Sequence, residues 1–171
     1  VVLNRAFASR QGATIKEQHV ANMQQSLIIL KPDVTQRGII GEIITRLEKR
    51  GLKIVAMEFR QLERSLVEEH YAEHRQKGFF NDVVSYMISG PVVTMVLEGH
   101  DAIAQVRATA GATKPFEATP GTIRHDYGMM MGRNIIHASA NEADAEREIG
   151  LFFKPEQIVS YTRAIDSWIN E

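Results

Sequence analysis

The stretch GRNIIHASAN, Gly132 to Asn141, carries a histidine directly after two isoleucines and before a run of small residues. An imidazole becomes a nucleophile when an acid holds one ring nitrogen, fixes the tautomer and leaves the other lone pair free. His137 has such a partner within reach: Glu148 falls on the helix expected after it and is close enough in sequence to fold back. A plainer reading competes, because a lone histidine on a half-buried strand is more often a satisfied core residue. The residues alone leave both open.

A second cluster precedes it. GATKPFEATPGTIRHDYG, Gly111 to Gly128, offers Thr113, Lys114, Thr119, Thr122 and Arg124, with Arg107 one helical turn upstream. Guanidinium forks suit phosphate oxygens, and threonine hydroxyls add short donors. The chain has neither a Walker A pattern nor GxGxxG, so phosphate would be held by side chains rather than by a glycine-rich cradle. Long irregular stretches inside a compact domain are usually functional, yet a solvated surface loop accounts for the composition equally well. His70 and His74, in HYAEH, have the i,i+4 spacing of two helical zinc ligands. Tyr71 holds the metalloprotease glutamate position and no third ligand is evident, so an exposed helix face is expected instead. Phe79 and Phe80 are adjacent and cannot face the same way; one should enter the core and the other can form a flat stacking surface.

These groups need a scaffold. SLIIL (26–30), LKIVAMEF (52–59), VVTMVL (92–97) and NIIHA (134–138) read as strands. A helix follows the first strand, with Ile40, Ile44 and Leu47 on one face, Ile43 beside them and Gly51 past its end. Ser65 with Glu68 and Ser139 with Glu142 form capping-box patterns. Asn81 and Asp101 can cap two further helices, Gly111 can close the second of these, and Pro155 suits the first turn of a last helix. The order is strand, helix, strand, helices, strand, helix, strand, helix. It predicts an α/β (α+β) fold: a ferredoxin-like βαββαβ sandwich with a four-stranded antiparallel sheet covered by helices.

Composition narrows the classes. A chain of 171 residues is expected to form one domain with a substantial core. Twenty Lys and Arg against 21 Asp and Glu give a net charge of −1, so no general field favours nucleic acid or an anionic membrane. The absence of cysteine excludes disulfides and thiolate chemistry. No apolar run reaches transmembrane length. Residues 1–22 lack a strong hydrophobic period, and Arg5, Arg10 and Lys16 precede their first acid, Glu17. An N-terminal extension outside the core domain of residues 23–171 is the favoured reading; a transit-like targeting segment is the alternative.

ILKPDVTQRG, EHYAEH, FF, SGPVV, GATKP, PGTIR and GRNIIHAS occur in the order and spacing of nucleoside diphosphate kinases. The chain resembles that family over about residues 23–171, and GRNIIHAS together with PGTIR is a specific pair of motifs. The resemblance implies ping-pong transfer of the γ-phosphate from a nucleoside triphosphate, typically ATP, to a nucleoside diphosphate through a phosphohistidine on His137. It implies Nδ1 as the attacking atom, Glu148 on the other nitrogen and Ser139 bonded near that pair. Arg107, Thr113 and Arg124 would grip phosphates. Lys31 and Asn134 would reach the ribose hydroxyls, Lys31 also touching the transferred phosphate, and Tyr71 would line the pocket. Phe79 would stack on the base with Val83 beside it, which suits indifference to base identity. Mg²⁺ would be held mainly by the nucleotide phosphates, with no protein metal ligands. The family implies a homo-oligomer, with a homohexamer expected and a homotetramer the alternative, in the cytoplasm. Ala138, His125 and Val34 stand where the family commonly has glycine. They bear on rate rather than on catalytic side chains. Two rivals are weaker. A non-catalytic relative should have lost a catalytic residue, and none is lost. A ferredoxin-like nucleic-acid binder should carry aromatics on its strands, and SLIIL, VVTMVL and NIIHA have none.

Overall fold

The computed structural model describes residues 23–169; the reading of residues 1–22 lies outside them. Four strands form one sheet: β1 (Met23–Leu30), β2 (Lys53–Arg60), β3 (Val92–His100) and β4 (Ile136–Ala138). Their order is β2-β3-β1-β4 and every pairing is antiparallel. Helices α1 (Pro32–Gln36) and α2 (Ile40–Lys49) join β1 to β2, and α3 (Arg64–His70) and α4 (Phe80–Met87) join β2 to β3. Then α5 (Ala102–Ala110) and α6 (Ile123–Tyr127) precede β4, and α7 (Glu142–Phe152) and α8 (Asp166–Ile169) follow it. The expected ferredoxin-like sandwich is present, with α3 and α4 inserted between its second and third strands.

The continuous apolar character of β1 and β3 follows from burial on both faces. On one face Ile28, Leu30, Val93, Met95 and Leu97 pack with Ile43 and Leu47 of α2 and Val106 of α5. On the other, Leu27, Ile29, Val92 and Val96 pack with Val67, Val84, Met87 and Phe152. Alternate residues of each strand therefore serve opposite layers, as a pleated strand requires.

Several local expectations give way to tertiary packing. Ile43 and Leu47 are fully buried while Ile40 and Ile44 flank the core, so the α2 stripe is turned slightly from the expected one. Neither capping box forms. Helix α3 starts after Glu63, one residue before Ser65, and α7 is capped by Asn141, whose Oδ1 accepts from Asp144 N at 2.9 Å. Asn81 lies inside α4 rather than at its cap. Asp101 occupies the N-cap of α5 without a side-chain bond to the helix. Gly111 does close α5, at φ 85°, and a Cβ there would strike the Thr122 side chain. The stretch from Gly111 is not irregular throughout: Thr122 leads into α6, which brings Arg124 inward. Pro155 opens only a single 3₁₀ turn, Pro155–Gln157.

Candidate active site

Sheet geometry sets the position of His137. It stands in the short strand β4, opposite Ile29 of β1. β4 is only three residues long because a tight turn precedes it. Ile135 has φ 71°, and Ile136 N donates to Asn134 O at 2.7 Å, closing a γ-turn around Ile135. A β-branched residue there costs on the order of 1–3 kcal/mol, and the surroundings hold it. Ile135 is fully buried and its carbonyl accepts from Lys31 N at 2.9 Å. The turn takes Asn134 off the expected strand and aims it across the pocket.

One helix, α7, and the loop that leads into it supply Glu148 and Ser139. Glu148 Oε1 lies 3.0 Å from His137 Nε2, and Ser139 Oγ donates to Glu148 Oε2 at 2.7 Å. Ser139 Oγ also accepts from Leu27 N at 3.0 Å, so the hydroxyl is fixed from both sides. Burial by itself would raise the Glu148 carboxyl, but the hydrogen bonds from His137 and Ser139 outweigh it and hold the group below its usual range. An ionised carboxylate can only accept. His137 Nε2 must therefore carry the ring proton of neutral imidazole, and Nδ1 keeps a free lone pair.

Cations converge from the other side. Lys31 is buried at the end of β1, and its Nζ donates to Asn134 Oδ1 at 2.5 Å. Burial, then the charge of Arg124, lowers the Lys31 ammonium to about 8. Arg124 reaches back from α6 with Nη1 to Gly111 O at 2.6 Å, Nη2 to Ile136 O at 2.7 Å and Nε to Asn134 O at 3.3 Å. It thus clamps both sides of the γ-turn, and its remaining N–H groups stay available. Burial, then the charge of Arg107, brings it down to about 10. Arg107 is exposed near the end of α5. Thr113 is exposed and enters the network through its carbonyl, which accepts from Asn134 Nδ2 at 3.1 Å.

The inserted helices bring a row of rings. His70 lies edge-on to His137 with centroids 4.6 Å apart, and equally close to Tyr71. Tyr71, whose hydroxyl is pushed up chiefly by burial, leads to His74 at 6.4 Å and His74 to Phe79 at 5.7 Å. Phe80 is buried and Phe79 is 46% exposed, so the two divide as their adjacency requires. Val83 follows Phe79 by one turn, its N–H donating to Phe79 O.

The exposed-face reading of HYAEH fails for His70. It is 4% exposed, packed against Phe152, Tyr71 and His137, because it shares the inner face of α3 with Val67. Burial and the neighbouring His137 lower it to about 3, so it stays neutral at physiological pH. It is the site residue that the motifs passed over. Its i,i+3 relation to Val67 was the available signal.

Among the described residues, His70, His137 and Glu148 form the only group of three donors close enough to share a metal ion. The opposite side of the pocket presents the cations Lys31 and Arg124, which are not ligands for Mg²⁺, an ion that takes oxygens. No helix among the described residues is long and apolar enough to cross a membrane.

Comparison with known proteins places this arrangement. The family profile "Nucleoside diphosphate kinase" matches residues 24–158. Nucleoside diphosphate kinase of Listeria monocytogenes is 55% identical over 147 residues, covering 86% of this chain and all of the relative. That of Archaeoglobus fulgidus is 53% identical over 149 residues, covering 87% and 99%. The Halobacterium salinarum enzyme, solved in complex with CDP, superposes with TM-score 0.85 at 48% identity, covering 86% of this chain and 99% of that one. The Borrelia burgdorferi enzyme, a transition-state mimic with vanadate and ADP, gives TM-score 0.82 at 38% identity, covering 86% and 97%. The fold and the extent of these matches agree, and the chain belongs to the nucleoside diphosphate kinase family.

Proposed function

We propose that the chain moves a γ-phosphate between nucleotides through a phosphohistidine on His137 Nδ1. The observation that carries this is the 3.0 Å contact of His137 Nε2 with a buried, ionised Glu148, itself held by Ser139. In the first half-reaction Nδ1 attacks the γ-phosphorus, the bond to the bridging oxygen breaks, and the nucleoside diphosphate leaves. The imidazole becomes cationic as the new bond forms, and Glu148 stabilises that charge. In the second half an acceptor diphosphate oxygen attacks the phosphohistidine and restores the neutral ring. Transfer of this kind depends on positioning and on neutralising oxygens, for which Arg107, Arg124 and Lys31 are suited. Mg²⁺ fits as part of the nucleotide substrate.

Lys31 and Asn134, joined by their 2.5 Å bond, would present an ammonium and an amide to the ribose hydroxyls. Thr113 and Tyr71 line the same pocket in this reading. Phe79 and Val83 would cover the base. The CDP bound by the Halobacterium relative and the ADP bound by the Borrelia relative carry different bases, as stacking without base readout allows. Assembly into a homohexamer or homotetramer is supported by exposed apolar residues. Met57 and Phe59 lie on the edge strand β2, and Phe116 lies in the segment before α6.

Steady-state kinetics test the route. Varying ATP at several fixed concentrations of a nucleoside diphosphate should give parallel double-reciprocal lines; intersecting lines would mean direct transfer in a ternary complex. Phe79→Ala should raise KM about tenfold for purine and pyrimidine substrates alike, the order expected of one lost stacking surface. A loss confined to one base would argue for specific readout.

The pH profile tests Lys31. Its ammonium is the form that binds anions, and it is lost as pH rises through about 8 in the free protein. The value of kcat/KM should therefore fall on the alkaline side with a midpoint near pH 8, while bound phosphates shift the limb of kcat upward. Lys31→Arg should remove that limb. A wild-type profile flat to about pH 9.5 would contradict the role, because a lysine acting in its charged form must titrate below its free value here.

A further inference from the structure

We propose that His70 Nδ1, His137 Nε2 and Glu148 Oε1 form a binding site for a borderline transition dication such as Zn²⁺, and that its occupation takes the nucleophile out of service. The blocking half rests on His137 being the nucleophile; the ion site does not.

The geometry is that of a ligand set. One donor atom from each residue lies within 4.8 Å of the others. Glu148 Oε1 is 3.0 Å from His137 Nε2 and 4.0 Å from His70 Nδ1. Two imidazoles and one carboxylate are a donor set that zinc takes in catalytic sites, where a fourth position stays open. The same set suits Mg²⁺ poorly, since that ion prefers six oxygens in a strict octahedron. Phosphoryl transfer with magnesium nucleotide and capture of zinc would thus use different atoms.

His70 supplies the independent observation. Its side chain is 2% exposed, and its Nδ1 is buried with no hydrogen-bond partner. Buried polar atoms of native proteins are nearly always paired, so an orphaned imidazole nitrogen turned toward a carboxylate calls for a ligand. The ring is neutral at physiological pH, as a metal ligand must be. The Glu148 carboxylate is already oriented by Ser139 through its other oxygen, which is the usual outer support of a metal-bound carboxylate. His137 is one-fifth exposed and gives the side from which an ion can arrive. Arg147 Nη2 stands 3.8 Å from Glu148 Oε1 and competes with the ion, but its side chain is nearly half exposed and can turn to solvent.

Blocking follows from the proton count. In the working tautomer Nε2 carries the ring proton and Nδ1 the lone pair. An ion bound to Nε2 needs the lone pair there. The Nε2–H···Oε1 bond breaks, a metal–nitrogen bond forms, and the ring proton moves to Nδ1 with no net proton released. Nδ1 then has no lone pair to attack phosphorus. Inhibition should therefore persist at saturating nucleotide and reverse on chelation.

Co²⁺ is the probe, added to the full chain without nucleotide or magnesium. The expected result is the intense visible absorption of tetrahedral Co²⁺ at one ion per chain, removed by an equivalent of Zn²⁺. His70→Gln should weaken binding at least about tenfold; unchanged binding in that variant, or no tetrahedral spectrum in the parent chain, overturns the site. If His70→Gln does not fold, X-ray absorption at the zinc edge of the parent complex decides. Two imidazole nitrogens and a carboxylate oxygen at about 2.0–2.2 Å support the site, and fewer than two imidazoles overturn it. Zn²⁺ should also suppress acid-labile phosphate label on His137 from magnesium ATP, each protein being compared with its own zinc-free value. Undiminished label in zinc-loaded protein overturns the blocking half. A chain that binds Co²⁺ through His70 yet never takes label without zinc would leave the ion site standing and overturn the phosphohistidine reading, and the blocking half with it.

Discussion

His137→Ala lowers nucleotide turnover by at least about 10⁴-fold, because loss of a covalent nucleophile removes the whole route rather than one of its supports. Nucleotide affinity should change little, within about threefold, since Lys31, Arg107, Arg124 and Phe79 remain. The split is the informative part. A substitution that merely loosened the pocket would raise KM and leave kcat high. The variant also strips Glu148 of the Nε2–H donor and leaves it with Ser139 alone. A modest loss of stability, about 1–2 kcal/mol, should accompany it. Turnover within tenfold of the parent enzyme, measured with a coupled assay on protein of verified fold, would mean that phosphate does not pass through this ring.

Arg124→Ala is expected to be the next most damaging change. Arg124 touches three backbone carbonyls, those of Gly111, Asn134 and Ile136, and two of these flank the strained Ile135. In the proposed role its removal withdraws a charge from the transferred phosphate, and it also releases the turn that aims Asn134 and His137. Together these should lower kcat/KM by about 10²–10³-fold and lower the melting temperature. Arg124→Lys should recover little of the loss. One ammonium on a flexible stem cannot bridge three carbonyls and still face a phosphate. Recovery to within about threefold by lysine would show that charge suffices and that the clamp is incidental.

The motifs carried much of the fold and site, for identifiable reasons. Strand β3 is a continuous apolar run because both its faces are covered, and that pattern is local. His137 and Glu148 lie on successive elements, so their meeting needs only that α7 fold back on β4. Lys31 and Asn134 meet across 103 residues through the pairing of β1 with β4, and no local pattern announces such a contact. Ile135 is a further case. A β-branched residue at positive φ contradicts its own propensity, and the burial of Ile135 with the tertiary bonds to Lys31 and Arg124 holds the turn. Ser139 shows the opposite error. Its spacing to Glu142 matched a capping box, but its hydroxyl is taken by Leu27 and Glu148, and Asn141 caps the helix instead. Competition for one hydroxyl is decided by the three-dimensional site.

Ala138, which stands where the family commonly has glycine, is accommodated without distortion. From β4 it pairs with Ile28 of β1 and joins the buried cluster on the α2 and α5 face of the sheet, while His137 projects the other way. The methyl group therefore points into the core and leaves the nucleophile clear.

The most direct measurement is incubation of the full chain with γ-labelled ATP and Mg²⁺ in the absence of any acceptor. About one label per chain is expected, stable in base and lost in acid, discharged on addition of a nucleoside diphosphate and absent from His137→Ala. Label that persists in that variant, or label that no diphosphate can discharge, would contradict it.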